Sequence, residues 1–126
     1  MSLRTPLGRV RGLGSARSGT HHFWMQRVTA VALIPLTLWF VYAVMSLVGG
    51  DHATVSAWLQ VPYNALLMIL LIVATFHHMQ LGLQVVIEDY IHGEGVKIAS
   101  LMIMKGGSLI LGVAAAFAVL KVAFGG

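Results

Sequence analysis

Three long runs of apolar residues dominate this chain of 126 residues, and each is close to the roughly 20 residues that a helix needs to cross a bilayer. Only 10% of the residues are charged and 58% are hydrophobic, whereas a soluble domain carries charge at about a quarter of its positions. The chain must therefore be solvated largely by lipid. Backbone groups in lipid are satisfied within helices, and the runs lack the alternation of barrel strands. The sequence predicts an all-α membrane protein with three transmembrane helices.

The three spans are predicted at residues 28–48, 65–87 and 104–124, within a transmembrane domain that covers residues 24–126. The first span ends before a natural turn at Gly49, and the second begins after Pro62. Pro35 lies inside the first span and is expected to kink it. Lys105 interrupts the start of the third span, so we place it near the membrane interface with its ammonium group reaching outward.

The distribution of charge predicts the orientation of the chain. The formal net charge is +4, and five of the eight basic residues precede the first span: Arg4, Arg9, Arg11, Arg17 and Arg27. The loop at residues 49–60 contains no Lys or Arg. The positive-inside rule therefore predicts that residues 1–23 form a cytoplasmic arm and that the C-terminus faces the opposite side. In an inner membrane, where we expect this protein, that side is the periplasm. Scattered arginines before a span are typical of a topogenic signal rather than of nucleic-acid binding.

Polar side chains inside the second span need an explanation. His77, His78, Gln80 and Gln84 lie in the middle of its apolar sequence, and ionisable groups at membrane depth usually mark function. A neutral imidazole near the bilayer midplane can ligate haem iron, although a histidine hydrogen-bonded across a helix interface is the plainer alternative. The chain has no cysteine, which excludes disulfides and thiolate ligands from it.

The residues that follow His78 favour a bound group. Gly82 lies one turn later on the same helix face, where a flat porphyrin would need a missing side chain. Asp89 follows eleven residues after His78, nearly on the same face and about 16 Å farther along, and Tyr90 is next to it. His77 points about 100° away, so the ligand assignment between the two histidines stays open, with His78 favoured.

Two further features are ambiguous from the sequence. Arg27 opens the first span after His21, and arginine binds carboxylates such as haem propionates well, but a purely topogenic arginine is the alternative. Ser108, Gly112 and Ala116 are spaced four residues apart in the third span. They predict close packing of another helix, either within the chain or in a partner, with the former favoured.

The chain resembles the D-type membrane anchor subunits of succinate dehydrogenase, respiratory complex II, of the alphaproteobacterial and mitochondrial branch. The resemblance is carried by Gly19-Thr20-His21-His22-Phe23, Arg27-Val28-Thr29-Ala30, His78-Met79-Gln80-Leu81-Gly82 and Asp89-Tyr90. It implies a four-subunit complex in which a flavoprotein and an iron–sulfur protein are bound by this anchor and by a C-type cytochrome b anchor. It also implies a haem b shared by the two anchors, and ubiquinone as substrate.

The resemblance implies roles for particular residues. His78 would supply one axial ligand of the haem iron and the C-type anchor the other, while Arg27 and His21 would approach the propionates. Tyr90, with Asp89 beside it, would bind a quinone carbonyl. The chain would then be a non-catalytic subunit of an oxidoreductase. A haem-free anchor that still binds quinone is a variant of this hypothesis. A small homo-oligomeric transporter or proton channel that uses the membrane histidines is the alternative.

Overall fold

The computed structural model describes residues 17–125, which form four helices and no strand. The helices are α1 (Arg17–Leu47), α2 (His52–Gln60), α3 (Pro62–Tyr90) and α4 (Glu94–Ala123). The segments Gly19–Leu47, Pro62–Tyr90 and Glu94–Ala123 are long and apolar enough to cross a membrane. The all-α fold with three transmembrane helices is thus confirmed. Residues 1–16 of the predicted arm lie outside the described residues.

The long helices extend beyond the spans predicted from the apolar runs. The first helix begins at Arg17, so residues 17–23 of the predicted arm form its first turns, and it continues through Pro35. Its 31 residues measure about 46 Å at 1.5 Å per residue, against a hydrocarbon core of about 30 Å. The fourth helix begins at Glu94, well before the predicted start of the third span, and Lys105 is exposed on its surface.

A short helix follows the turn after α1, where the sequence analysis assigned only a loop. Gly49 adopts φ +84°, a conformation that favours glycine, and turns the chain after Leu47. Asp51 then caps α2: its Oδ1 accepts hydrogen bonds from the backbone N–H and the hydroxyl of Thr54, both at 2.9 Å. These donors, the backbone N–H first, hold the pKa of Asp51 below its usual range.

Aromatic and polar contacts fix α2 against the long helices. The rings of Trp58 on α2 and Trp39 on α1 are stacked, with centroids 5.6 Å apart and planes at 24°. The backbone carbonyl of Trp58 also accepts a hydrogen bond of 2.9 Å from Nδ2 of Asn64, a buried residue of α3. The loop between the first two long helices is therefore an ordered part of the bundle.

The third helix is the centre of the bundle, because it packs against α1 on one side and against α4 on the other. The residues buried between the helices are mostly small: Thr29, Ala43, Asn64, Ala65, Ala74, Leu81, Ser108 and Val119. A Cβ atom added at Gly112 would lie 3.5 Å from Cγ of Phe76. The small residues of α4 thus face α3. Of the two alternatives given for these residues, this is packing against a helix of the same chain.

Candidate functional site

The two adjacent histidines of α3 face different neighbours. His78 faces α1, where its Nδ1 lies 3.1 Å from Oγ1 of Thr29. His77 instead lines an apolar groove of about 220 Å³ between α3 and α4, next to Phe76, Ser108 and Gly112. Its Nε2 is buried without a hydrogen-bond partner among the described residues. The two imidazoles therefore have different surroundings. Polar side chains are frequent around His78, whereas the groove around His77 is mainly apolar.

His78 lines a polar cleft of about 460 Å³ between α1 and α3, hereafter the α1–α3 cleft. The other lining residues come from the first turns of α1: Gly19, His22, Phe23, Gln26, Arg27 and Ala30. Arg27 and His78 were singled out from separate parts of the sequence, and the structure brings them to one cleft. A cation that can bind a carboxylate and an imidazole that can ligate a metal are thereby placed together.

Aromatic side chains hold Arg27 at the cleft. The guanidinium carbon of Arg27 lies 5.0 Å from the centroid of the Phe23 ring, within the range of a cation–π contact. The Phe23 ring meets Trp24 edge to face, with centroids 5.8 Å apart at an angle of 82°. Phe23 precedes Arg27 by one helical turn, so the extension of α1 beyond the predicted span positions this cation.

Two buried polar atoms in the cleft have no hydrogen-bond partner among the described residues. They are Nε2 of His22 and Oε1 of Gln26, both on α1. Buried polar atoms in folded proteins are nearly always hydrogen-bonded, so each such atom indicates a missing partner. A histidine N–H and a guanidinium can donate to a carboxylate, and the Gln26 amide can do so once its NH2 group is turned to the position that Oε1 occupies. These residues and the His78 imidazole fit a haem bound through its iron and its propionates.

The remaining predicted residues lie outside the cleft. His21 is exposed and does not line it, whereas His22, which the sequence analysis left without a role, does. A Cβ atom added at Gly82 would meet no atom of residues 17–125 within 4 Å, so the described chain leaves open the helix face one turn after His78. Asp89 and Tyr90 lie at the exposed end of α3, and the Tyr90 side chain is 77% exposed.

The positions of His22 and Tyr90 follow from helix geometry. His22 lies seven residues before Thr29, which is two turns along the same face of α1. Because Thr29 faces α3, His22 must face α3 as well. Tyr90 lies twelve residues after His78, about 18 Å along α3. It is therefore at the membrane end where α1 begins, beyond the cleft.

The fold and the cleft define a multi-pass helical membrane protein with a polar site between its first two long helices. The sequence matches, over residues 1–120, the family described as succinate dehydrogenase/fumarate reductase transmembrane subunit. The chain belongs to this family, as the sequence motifs predicted.

Curated relatives of the chain are named as membrane anchor subunits of succinate dehydrogenase. The chain is 35% identical over 88 residues to the succinate dehydrogenase hydrophobic membrane anchor subunit of Rickettsia bellii, covering 70% of each chain. It is 32% identical over 121 residues to the subunit of that name from Paracoccus denitrificans, covering 96% of this chain and 93% of that one. The succinate dehydrogenase membrane anchor subunit of Reclinomonas americana is 32% identical over 92 residues, with 71% and 77% covered. No solved structure matches the chain significantly.

Proposed function

We propose that this chain is the membrane anchor subunit of a succinate:ubiquinone oxidoreductase, where it binds one side of a haem b and part of the quinone site. The observation that carries the haem proposal is the presence of His78 and Arg27 in the α1–α3 cleft, while His77 faces an apolar groove. Among residues 17–125 no three His, Asp or Glu side chains are grouped to hold a bare metal ion. A lone imidazole suits an iron whose other ligands come from a porphyrin.

In this proposal His78 would supply one ligand of the haem iron, and a C-type cytochrome b anchor would supply another. When bound, haem would supply a one-electron redox centre near the quinone. Arg27, positioned by Phe23, binds a propionate, and the unpaired Nε2 of His22 makes His22 a better candidate than His21 for a second contact. Each charge-assisted hydrogen bond to a carboxylate contributes about 1.5–3 kcal/mol.

The quinone site is assigned to the end of α3. Tyr90 donates its phenolic hydrogen to a quinone carbonyl oxygen, which becomes more negative as the quinone is reduced. Asp89, adjacent and exposed, accepts and passes protons or orients Tyr90. Both side chains are exposed in the described part of the chain, which leaves them accessible to a substrate or to a partner subunit.

The partners follow from the relatives' names and from the exposed surface. The iron–sulfur and flavoprotein subunits are proposed to dock at the cytoplasmic end, near Arg17 and Tyr90, so that electrons arrive beside the quinone. The apolar side chains exposed on the long helices, such as Ile34, Leu38 and Phe117, face lipid or the C-type anchor. The N-terminus is cytoplasmic and the C-terminus periplasmic in this arrangement, as the arginine distribution predicts.

Purification with a tag on this chain tests the proposal against the alternative of an independent transporter. We expect the flavoprotein, the iron–sulfur protein and a second anchor to be recovered with it in equal amounts. The reduced-minus-oxidised visible spectrum of the purified complex should show a low-spin b-type haem. Recovery of a homo-oligomer without those subunits would contradict the anchor proposal, and a complete complex without the haem spectrum would remove haem from it.

Gly82→Ala tests whether a haem covers the open face of α3. The added methyl group meets nothing within 4 Å in the part of the chain that the structure describes, and alanine stabilises a helix by about 1 kcal/mol relative to glycine. A porphyrin against this face would be displaced at an overpacking cost of about 1–3 kcal/mol, or roughly 5- to 150-fold weaker haem binding. The measurement is the haem content of the purified complex.

Gly106→Ala is the matched control, because its methyl group also meets none of the described residues within 4 Å. It should leave the haem content unchanged. Normal haem binding in Gly82→Ala would place the porphyrin elsewhere.

A further inference from the structure

Thr29 is the residue of α1 that contacts the imidazole of His78, and its hydroxyl group is surrounded by three polar atoms. Its Oγ1 lies 2.7 Å from the carbonyl oxygen of Met25, 3.1 Å from that of Gln26 and 3.1 Å from Nδ1 of His78. Thr29 itself is only 7% exposed. A hydroxyl group has one hydrogen and two acceptor lone pairs, so these contacts decide which atom carries each hydrogen.

The hydroxyl hydrogen of Thr29 points to the carbonyl of Met25. Two oxygens at 2.7 Å need a hydrogen between them, and a carbonyl oxygen cannot supply one. Oγ1 therefore presents a lone pair to Nδ1 of His78. An unprotonated Nδ1 would place two lone pairs against each other at 3.1 Å, so Nδ1 carries a hydrogen and donates it to Oγ1.

This hydrogen bond selects the form of the imidazole. A neutral imidazole has one N–H, so a hydrogen on Nδ1 leaves Nε2 with a free lone pair. Histidines that ligate metals usually donate their other N–H to an acceptor, which fixes the tautomer and the ring orientation and raises the basicity of the ligating nitrogen. We propose that Thr29 is a positioning residue that holds His78 as the Nδ1–H tautomer, so that Nε2 binds the haem iron. This inference rests on the proposed role of His78.

A threonine bonded to a carbonyl four residues earlier also occurs as a purely local feature of helices. Such a threonine would affect packing but would leave the electronic properties of a bound haem unchanged. The contact with His78 Nδ1, 49 residues away in sequence, distinguishes Thr29 from this case. The redox potential of the haem is therefore the informative measurement.

Thr29→Val removes the acceptor and keeps the shape of the side chain. In the assembled complex we expect roughly 10- to 100-fold weaker haem binding. The midpoint potential of the haem that remains should shift to more positive values, because a less basic Nε2 stabilises ferric iron less. Thr29→Ser retains the hydroxyl and should keep both properties close to those of the unmodified complex. Haem content and a spectroscopic redox titration provide the two measurements.

Thr37→Val is the matched control, since it makes the same substitution at an exposed position of the same helix. It should change neither property. Thr29→Ala removes the hydroxyl without adding a methyl group, and it replaces the valine variant if that variant assembles poorly. It must show the same shift in the midpoint potential of the haem. An unchanged potential in the variants that lack the hydroxyl, or an equal defect in Thr29→Ser, would overturn the inference. The proposed role of His78 is tested by a different variant: it would be wrong if His78→Ala retained the low-spin spectrum.

Discussion

Replacing His78 with alanine should abolish the low-spin haem spectrum of the complex or perturb it severely, because it removes the side chain proposed to bind the haem iron. The substitution also leaves Thr29 with a free hydroxyl oxygen, but the α1–α3 cleft is already open, so we expect α1 and α3 to remain packed. The measurement is the reduced-minus-oxidised spectrum of complex purified in equal amounts from both forms.

His77→Ala is the control one residue away. It removes an imidazole that lines the apolar groove between α3 and α4, and whose Nε2 has no hydrogen-bond partner among residues 17–125. The haem spectrum should stay near normal. If His77→Ala loses the spectrum and His78→Ala keeps it, the ligand assignment is wrong by one position and the α1–α3 cleft is not the haem site.

Tyr90→Phe should lower succinate–quinone reductase activity sharply while haem remains bound. A single donor to a developing oxyanion contributes about 2.7–4 kcal/mol in comparable sites, so the expected loss is about 10²- to 10³-fold. The side chain is 77% exposed in this chain, and loss of the hydroxyl should change stability by no more than about 0.5 kcal/mol. Succinate oxidation with an artificial acceptor at the soluble subunits should persist, and the ratio of the two activities is the measurement.

Tyr63→Phe provides the comparison for Tyr90→Phe. Tyr63 is also exposed, at 63%, but it lies at the start of α3 and hence at the opposite membrane face. Its substitution should leave both activities unchanged. A normal rate of quinone reduction in Tyr90→Phe would show that Tyr90 only terminates α3 and contacts lipid headgroups.

The three spans could be predicted because lipid imposes a single requirement, a long apolar helix. Such a helix is visible in the sequence as a long run of apolar residues. The ends of the helices are set by other interactions. Asp51 and Thr54, which form the N-cap of α2, are visible in the sequence, but the neighbouring glycines predict only a turn, so the prediction lacks α2. The extension of α1 to Arg17 consists largely of polar residues, which do not belong to the apolar run from which the span was predicted.

The sequence could relate residues of the candidate site along one helix but not between helices. The 3.6-residue period connected His78 with Gly82 on α3, since that relation needs only one helix. The contact between Thr29 and His78 depends on the register of α1 against α3, which many small packing contacts determine together. Without that register, the sequence could not distinguish His21 from His22, although the two point about 100° apart.

The continuity of α1 has a consequence for how this subunit can vary in evolution. Phe23, Gln26, Arg27 and Thr29 belong to one uninterrupted helix. A single-residue insertion between Gln26 and Thr29 would therefore rotate everything before it by about 100° and shift it by about 1.5 Å. His22 and Gln26 would then leave the face that lines the cleft while Thr29 kept its place. Changes in length before Arg17 preserve the relative positions of all these side chains. Insertions and deletions should thus be tolerated upstream of α1 and selected against within its first four turns.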